Sequence, residues 1–121
     1  MEQMLIALAG LMGAAGVTLT AASAHGKPGS SLDSAGYLLL LHAAAIIAGT
    51  TAVRTGLLGR PLGTLALWGF VLGAGLFAAD VATRAYTGSR LFPFAAPAGG
   101  IIQIMSWLLL AVAALMALRA S

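Results

Sequence analysis

Where this chain refuses charge says most about what it can fold into. Asp, Glu, Lys and Arg are absent from residues 3–24, 34–53, 61–79 and 91–118, stretches of 22, 20, 19 and 28 residues. At about 1.5 Å of rise per helical residue, each can cross a hydrocarbon layer of roughly 30 Å. The composition agrees: 60% of residues are hydrophobic and 7% charged, against about 25% charged in an ordinary soluble domain. Nine charged side chains cannot cover the surface of a soluble protein of 121 residues. The chain reads as all-α, an integral membrane antiparallel four-helix bundle, with residues 1–121 forming a single four-span domain.

Several function classes fall away. Without cysteine there are no disulfides, Cys-ligated zinc sites, iron–sulfur clusters or thiol nucleophiles. The net charge of +3 sets six basic residues against three acidic ones, and Lys27, Arg54, Arg60, Arg84, Arg90 and Arg119 are scattered singly at span ends, so no basic patch is available for nucleic acid. Phosphate-loop, dinucleotide and zinc-hydrolase motifs are missing as well.

The spans are expected at about 3–25, 34–56, 61–86 and 98–119. Ala22-Ser23-Ala24 has the small-x-small form of a leader cleavage site. The acidic Glu2, the lack of a preceding basic residue and the length of the apolar run favour a retained span instead. Gly, Pro and Ser at 26–31 make a turn. Asp33 or Ser34 is the expected N-cap of span two, and Pro61 the expected first helical residue of span three. Pro93 and Pro97 obstruct helix before span four. Four spans put both termini on one side with Arg54, Arg60 and Arg119; the other side carries Lys27, Arg84 and Arg90. Arg84 lies one turn beyond Asp80 and pairs with it. The positive-inside rule then puts the termini in the cytoplasm.

Association of spans in lipid relies on close packing, because lipid tails are as apolar as leucine. Small residues recur as Ala9, Gly10, Gly13 and Gly16, as Ala44, Ala45, Ala48, Gly49 and Ala52, and as Ala111, Ala114 and Ala117. Gly69-x-x-x-Gly73 is either a dimerisation face or a close approach inside the bundle, and the second reading is preferred.

Ionisable groups inside a span are costly, about 2.5–3.5 kcal/mol on insertion scales, and each is a candidate for function. His42, Asp80, Arg84 and Gln103 fall in the half of the bilayer facing the 26–31 and 88–94 loops, with His25 and Tyr37 near that surface. The expected site is a polar pocket lined by His25, His42, Asp80 and Gln103, with Tyr37 and Arg84 at its rim. It would take a proton, a metal ion or a lipid head group. Each residue also has a plainer role: His42 donating to a backbone carbonyl, Asp80 and Arg84 neutralising each other, Gln103 joining helices, His25 resting among head groups. Trp107 is expected in the core. No third metal ligand lies level with the two histidines, so neither metal nor cofactor is expected.

Three motifs occur together: Ala24-His25-Gly26 after a Gly-rich first span, Tyr37-Leu38-Leu39-Leu40-Leu41-His42-Ala43, and Pro97-Ala98-Gly99-Gly100 with Trp107 seven residues on. In these the chain resembles a small bacterial inner-membrane family, domain of unknown function 423, whose eukaryotic relatives include the transmembrane protein 256-like proteins. The resemblance implies four spans, cytoplasmic termini and no established activity. It carries over His25, Tyr37, His42, Pro97, Gly99, Gly100 and Trp107. The chain departs from the family at Thr20-Ala21-Ala22-Ser23, Asp80, Arg84, Gln103 and Ser106, so Asp80, Arg84 and Gln103 are its own additions.

Three functional classes follow. The first is a binding or accessory protein that holds a lipid or other hydrophobic ligand, or packs against a larger membrane complex. The second is an oligomeric proton, ion or small-solute transporter or channel using His42 and Asp80, with Gly69 and Gly73 as the oligomer contact. The third, an enzyme, has no readable nucleophile–base set. The first is the reading adopted, with membrane lipids, a homo-oligomer or a larger complex as partners.

Overall fold

The structure, a computed structural model describing residues 2–120, contains four helices and no strand among those residues. They are α1 (Glu2–His25), α2 (Leu32–Arg54), α3 (Leu62–Thr87) and α4 (Ala95–Ala120), together a four-helix bundle. All four are long and apolar enough to cross a membrane.

The helix ends depart from expectation in three places. α2 starts at Leu32, which is fully buried, so the chain enters the helix before Asp33. Ser31 precedes it in a left-handed conformation (φ 67°) without a side-chain cap. Asp33 sits in the first turn, where a carboxylate suits the positive end of the helix dipole, and its Oδ1 accepts the Ser34 N–H at 2.8 Å. Pro61 is the N-cap of α3 rather than its first residue. α4 begins at Ala95 and takes Pro97 into its first turn, where the missing N–H would have had no helical partner anyway. Gly88 ends α3 at φ 77°, with its N–H donating to the Arg84 carbonyl at 2.9 Å.

The chain folds as two hairpins, each closed by a facing pair of glycines. In α1–α2, a Cβ on Gly16 would stand 2.7 Å from the Gly36 carbonyl oxygen, and one on Gly36 would stand 2.6 Å from that of Gly16. In α3–α4, Gly73 and Gly99 stand in the same relation, at 2.9 and 2.7 Å. No side chain fits such distances, and glycine lets the backbones approach as lipid-embedded packing requires. Gly69 lies against Ser106 of α4. Both members of Gly69-x-x-x-Gly73 are therefore used inside the bundle. Gly10 and Gly13 face open space; α1 instead presents Leu5, Ala9, Met12 and Gly16 to the interior.

The hairpins meet along α2 and α3, where Gly49 sits under Leu67 and Ile46 and Phe70 are fully buried. α2 and α3 bury ten and nine residues, α1 and α4 only five and six, so the first two form the centre. α1 touches α3 lightly, whereas the backbones of α2 and α4 stay apart. Two grooves result, one between α1 and α3 and one between α2 and α4.

At the terminal end, Arg60 pairs with Glu2 at 3.1 Å. The Gly59 N–H there donates to the Ala113 carbonyl at 3.4 Å, clasping the α2–α3 link to α4. At the other end Lys27 lies over the Tyr86 ring, 5.2 Å from its centroid.

Candidate functional site: the groove between α2 and α4

Because α2 and α4 are not in backbone contact, side chains alone bridge them, and His42 is the keystone. It is 2% exposed. Its Nδ1 lies 2.8 Å from the Leu38 carbonyl oxygen one turn earlier, and its Nε2 is 3.0 Å from the indole Nε1 of Trp107. A carbonyl only accepts and an indole N–H only donates. The partners therefore fix the neutral tautomer, with the proton on Nδ1 and the Nε2 lone pair taken by Trp107. Phe70 completes the cluster, its ring centroid 5.2 Å from His42 and 4.5 Å from Trp107. Trp107 is 40% exposed, which corrects its expected core position: one edge bonds His42 and the rest forms groove wall.

The groove has two sections. The deeper one, about 330 Å³, is walled by Leu38 and Leu41 of α2 and Ile104 and Trp107 of α4, with His42 and Gln103 at its base. The upper one, about 390 Å³, is lined by Asp80 and Arg84 of α3, Arg90 of the loop, and Ala96 and Pro97 of α4. Phe77 and Gly100 border both, so the upper section, which lies between α3 and α4, adjoins the deeper one. The result is an apolar slot with a charged recess beside its outer end.

Asp80 is 1% exposed and does more than neutralise its neighbour. Oδ2 faces Arg84 Nε at 3.5 Å, while Oδ1 accepts the Leu91 N–H at 2.8 Å. It thus ties the α3–α4 loop down over the helix end. Gln103 joins helices as its plainer reading held: Nε2 donates to the Gly99 carbonyl of its own helix at 3.0 Å and to the Gly73 carbonyl of α3 at 3.3 Å. In the other half of the bundle, the Thr50 and Ser106 hydroxyls donate to Ile47 and Ile102 on their own helices.

Of the six residues assigned to one pocket, the structure brings four to the groove. His42 and Gln103 lie at its base, Asp80 and Arg84 at its mouth. His25 and Tyr37 are exposed and line neither section. Phe77, Arg90 and Gly100 complete the groove without having been singled out as pocket residues. Arg90 had one usable signal, the absence of an acidic residue within a turn of it. Among the described residues no three His, Asp or Glu side chains converge on a metal position.

No protein-family model, curated protein or solved structure matches this chain.

Proposed function

We propose that this chain is a non-enzymatic binding protein of the bacterial inner membrane, akin to the small four-span family it resembles. Its α2–α4 groove holds a lipid or other hydrophobic ligand, and its termini face the cytoplasm. One observation carries the reading: an open, largely apolar groove whose sections, about 330 and 390 Å³, fall in the range of ligand clefts. It is built around a polar cluster whose own bonds are already made. Its base is set by His42, Trp107 and Gln103, so its shape is held without a ligand.

The same bonding weighs against proton or ion conduction through His42 and Asp80. A relay needs a group free to take up and release a proton, and both His42 nitrogens have partners. Asp80 is held by Leu91 and Arg84. Gly69 and Gly73, the expected oligomer contact, are occupied by α4.

The test is native mass spectrometry of the protein extracted from its own membrane in mild detergent, beside a Gly100→Leu variant. A Cβ on Gly100 meets nothing within 4 Å, and Gly100 borders both sections, so a leucine there is the substitution chosen to obstruct the groove. The expected result is a defined non-protein mass on the wild type that is absent from the variant. A bare wild-type protein, or equal retention by both, refutes the reading.

A further inference from the structure

Resting on the groove reading above, we infer that the occupant is an anionic glycerophospholipid, its head held by Arg90 with Arg84 and one acyl chain lying along the slot to Trp107. Length, charge and exposure each support this.

The slot follows α4 from Pro97 at the mouth to Trp107 at the deep end. Ten residues of helix rise about 15 Å, half of a hydrocarbon layer of roughly 30 Å. The groove therefore has the depth of one leaflet, and its charged mouth lies where that leaflet's head groups lie. Level with Trp107, Ser106 packs against Gly69 on the α3 side.

The mouth carries two guanidinium groups and one carboxylate. Asp80 is buried and spends one oxygen on Leu91 and the other on Arg84. Arg84 keeps a side chain 43% exposed. Arg90 is exposed, with neither a hydrogen bond nor an ion pair among the described residues. One positive charge is thus left over at the mouth, and a bidentate guanidinium suits a phosphodiester. A zwitterionic lipid would bring its own ammonium into a mouth that already has a surplus of positive charge.

The experiment uses delipidated full-length protein in detergent, titrated in native mass spectra with phosphatidylglycerol or with phosphatidylcholine of identical acyl chains. Wild type, Arg90→Gln and Gly100→Leu are compared. Phosphatidylglycerol should bind the wild type about fivefold more tightly, the effect of one arginine beside an anionic head. Arg90→Gln should weaken phosphatidylglycerol more than phosphatidylcholine and so erase that preference, and Gly100→Leu should abolish both. Equal binding of the two lipids, or a preference unchanged by Arg90→Gln, overturns the anionic head while the groove survives. Binding of both lipids unaffected by Gly100→Leu overturns the groove reading itself.

Discussion

Removing both charges of the Asp80–Arg84 pair separates two accounts of why an aspartate stands inside a span. If the two side chains serve only to neutralise each other, Asp80→Ala/Arg84→Leu must be at least as stable as Asp80→Asn/Arg84→Leu, since both are uncharged there and asparagine buries an amide group. The structure predicts otherwise. Asparagine retains an oxygen at Oδ1, which accepts the Leu91 N–H at 2.8 Å; alanine leaves that amide without a partner. An orphaned buried donor costs about 1–3 kcal/mol. Leu91 is 47% exposed, so water and head groups recover part of the loss, and the lower half of that range, about 1–1.5 kcal/mol, applies. The ion pair contributes little to the comparison: the Arg84 side chain is 43% exposed, and exposed pairs are worth about 0–1 kcal/mol. Unfolding of the two double variants by titration with sodium dodecyl sulfate, followed by circular dichroism, reads the difference directly. The asparagine variant should be the more stable. Free energies that agree within about 0.3 kcal/mol, the scatter of independent substitutions, would refute the loop-anchoring role.

Three further outcomes are expected. A double-mutant cycle of His42→Ala and Trp107→Phe should give a coupling energy of about 0.6–1.7 kcal/mol, the range for hydrogen bonds between membrane helices; zero coupling in the same unfolding assay would remove the His42–Trp107 bond from the account. Gly73→Ala should destabilise by about 1–3 kcal/mol through overpacking against Gln103 and Gly99, whereas Gly75→Ala, which meets nothing within 4 Å, should be neutral or stabilising; the reverse order in thermal melts would contradict the assigned helix faces. Because the chain lacks cysteine, single cysteines report topology cleanly: Thr55→Cys should be shielded from a membrane-impermeant maleimide added outside intact cells, and Ser89→Cys should react.

The span positions were legible because the exclusion of charge from hydrocarbon is a strong, one-dimensional rule. Position along each helix was legible for the same reason: Asp80 and Gln103 stand in the halves of α3 and α4 nearer the 88–94 loop, and His42 near the middle of α2. Rotation about each helix axis was not. In a soluble bundle a polar face marks the outside, but here both faces are apolar and lipid is no worse a neighbour than leucine. Ala44 and Ala48 belong to a small-residue row yet are exposed, while Gly36, outside that row, makes the closest approach of α2 to α1. Tyr37 and His25 are exposed and line neither section of the groove. The partners that define the site were hidden by distance or by chemistry. Trp107 is 65 residues from His42, and the group that Asp80 holds is a backbone N–H, which no residue type announces.

The unequal seams of the bundle bear on how such a chain assembles. Each hairpin contains its own glycine crossing, between Gly16 and Gly36 and between Gly73 and Gly99, and so brings its tightest contact with it as it enters the bilayer. Among the described residues the joint between hairpins has no such pair; it relies on larger side chains such as Leu67 and Phe70, on the bond from Trp107 to His42 and on the contact of Lys27 with Tyr86. Insertion can therefore proceed pairwise, with each hairpin leaving the insertion machinery as a finished half and the halves docking afterwards by lateral diffusion. A gene split within the α2–α3 link should accordingly yield two fragments that find each other in the membrane, whereas a split within the 26–31 loop would separate partners that need to enter together.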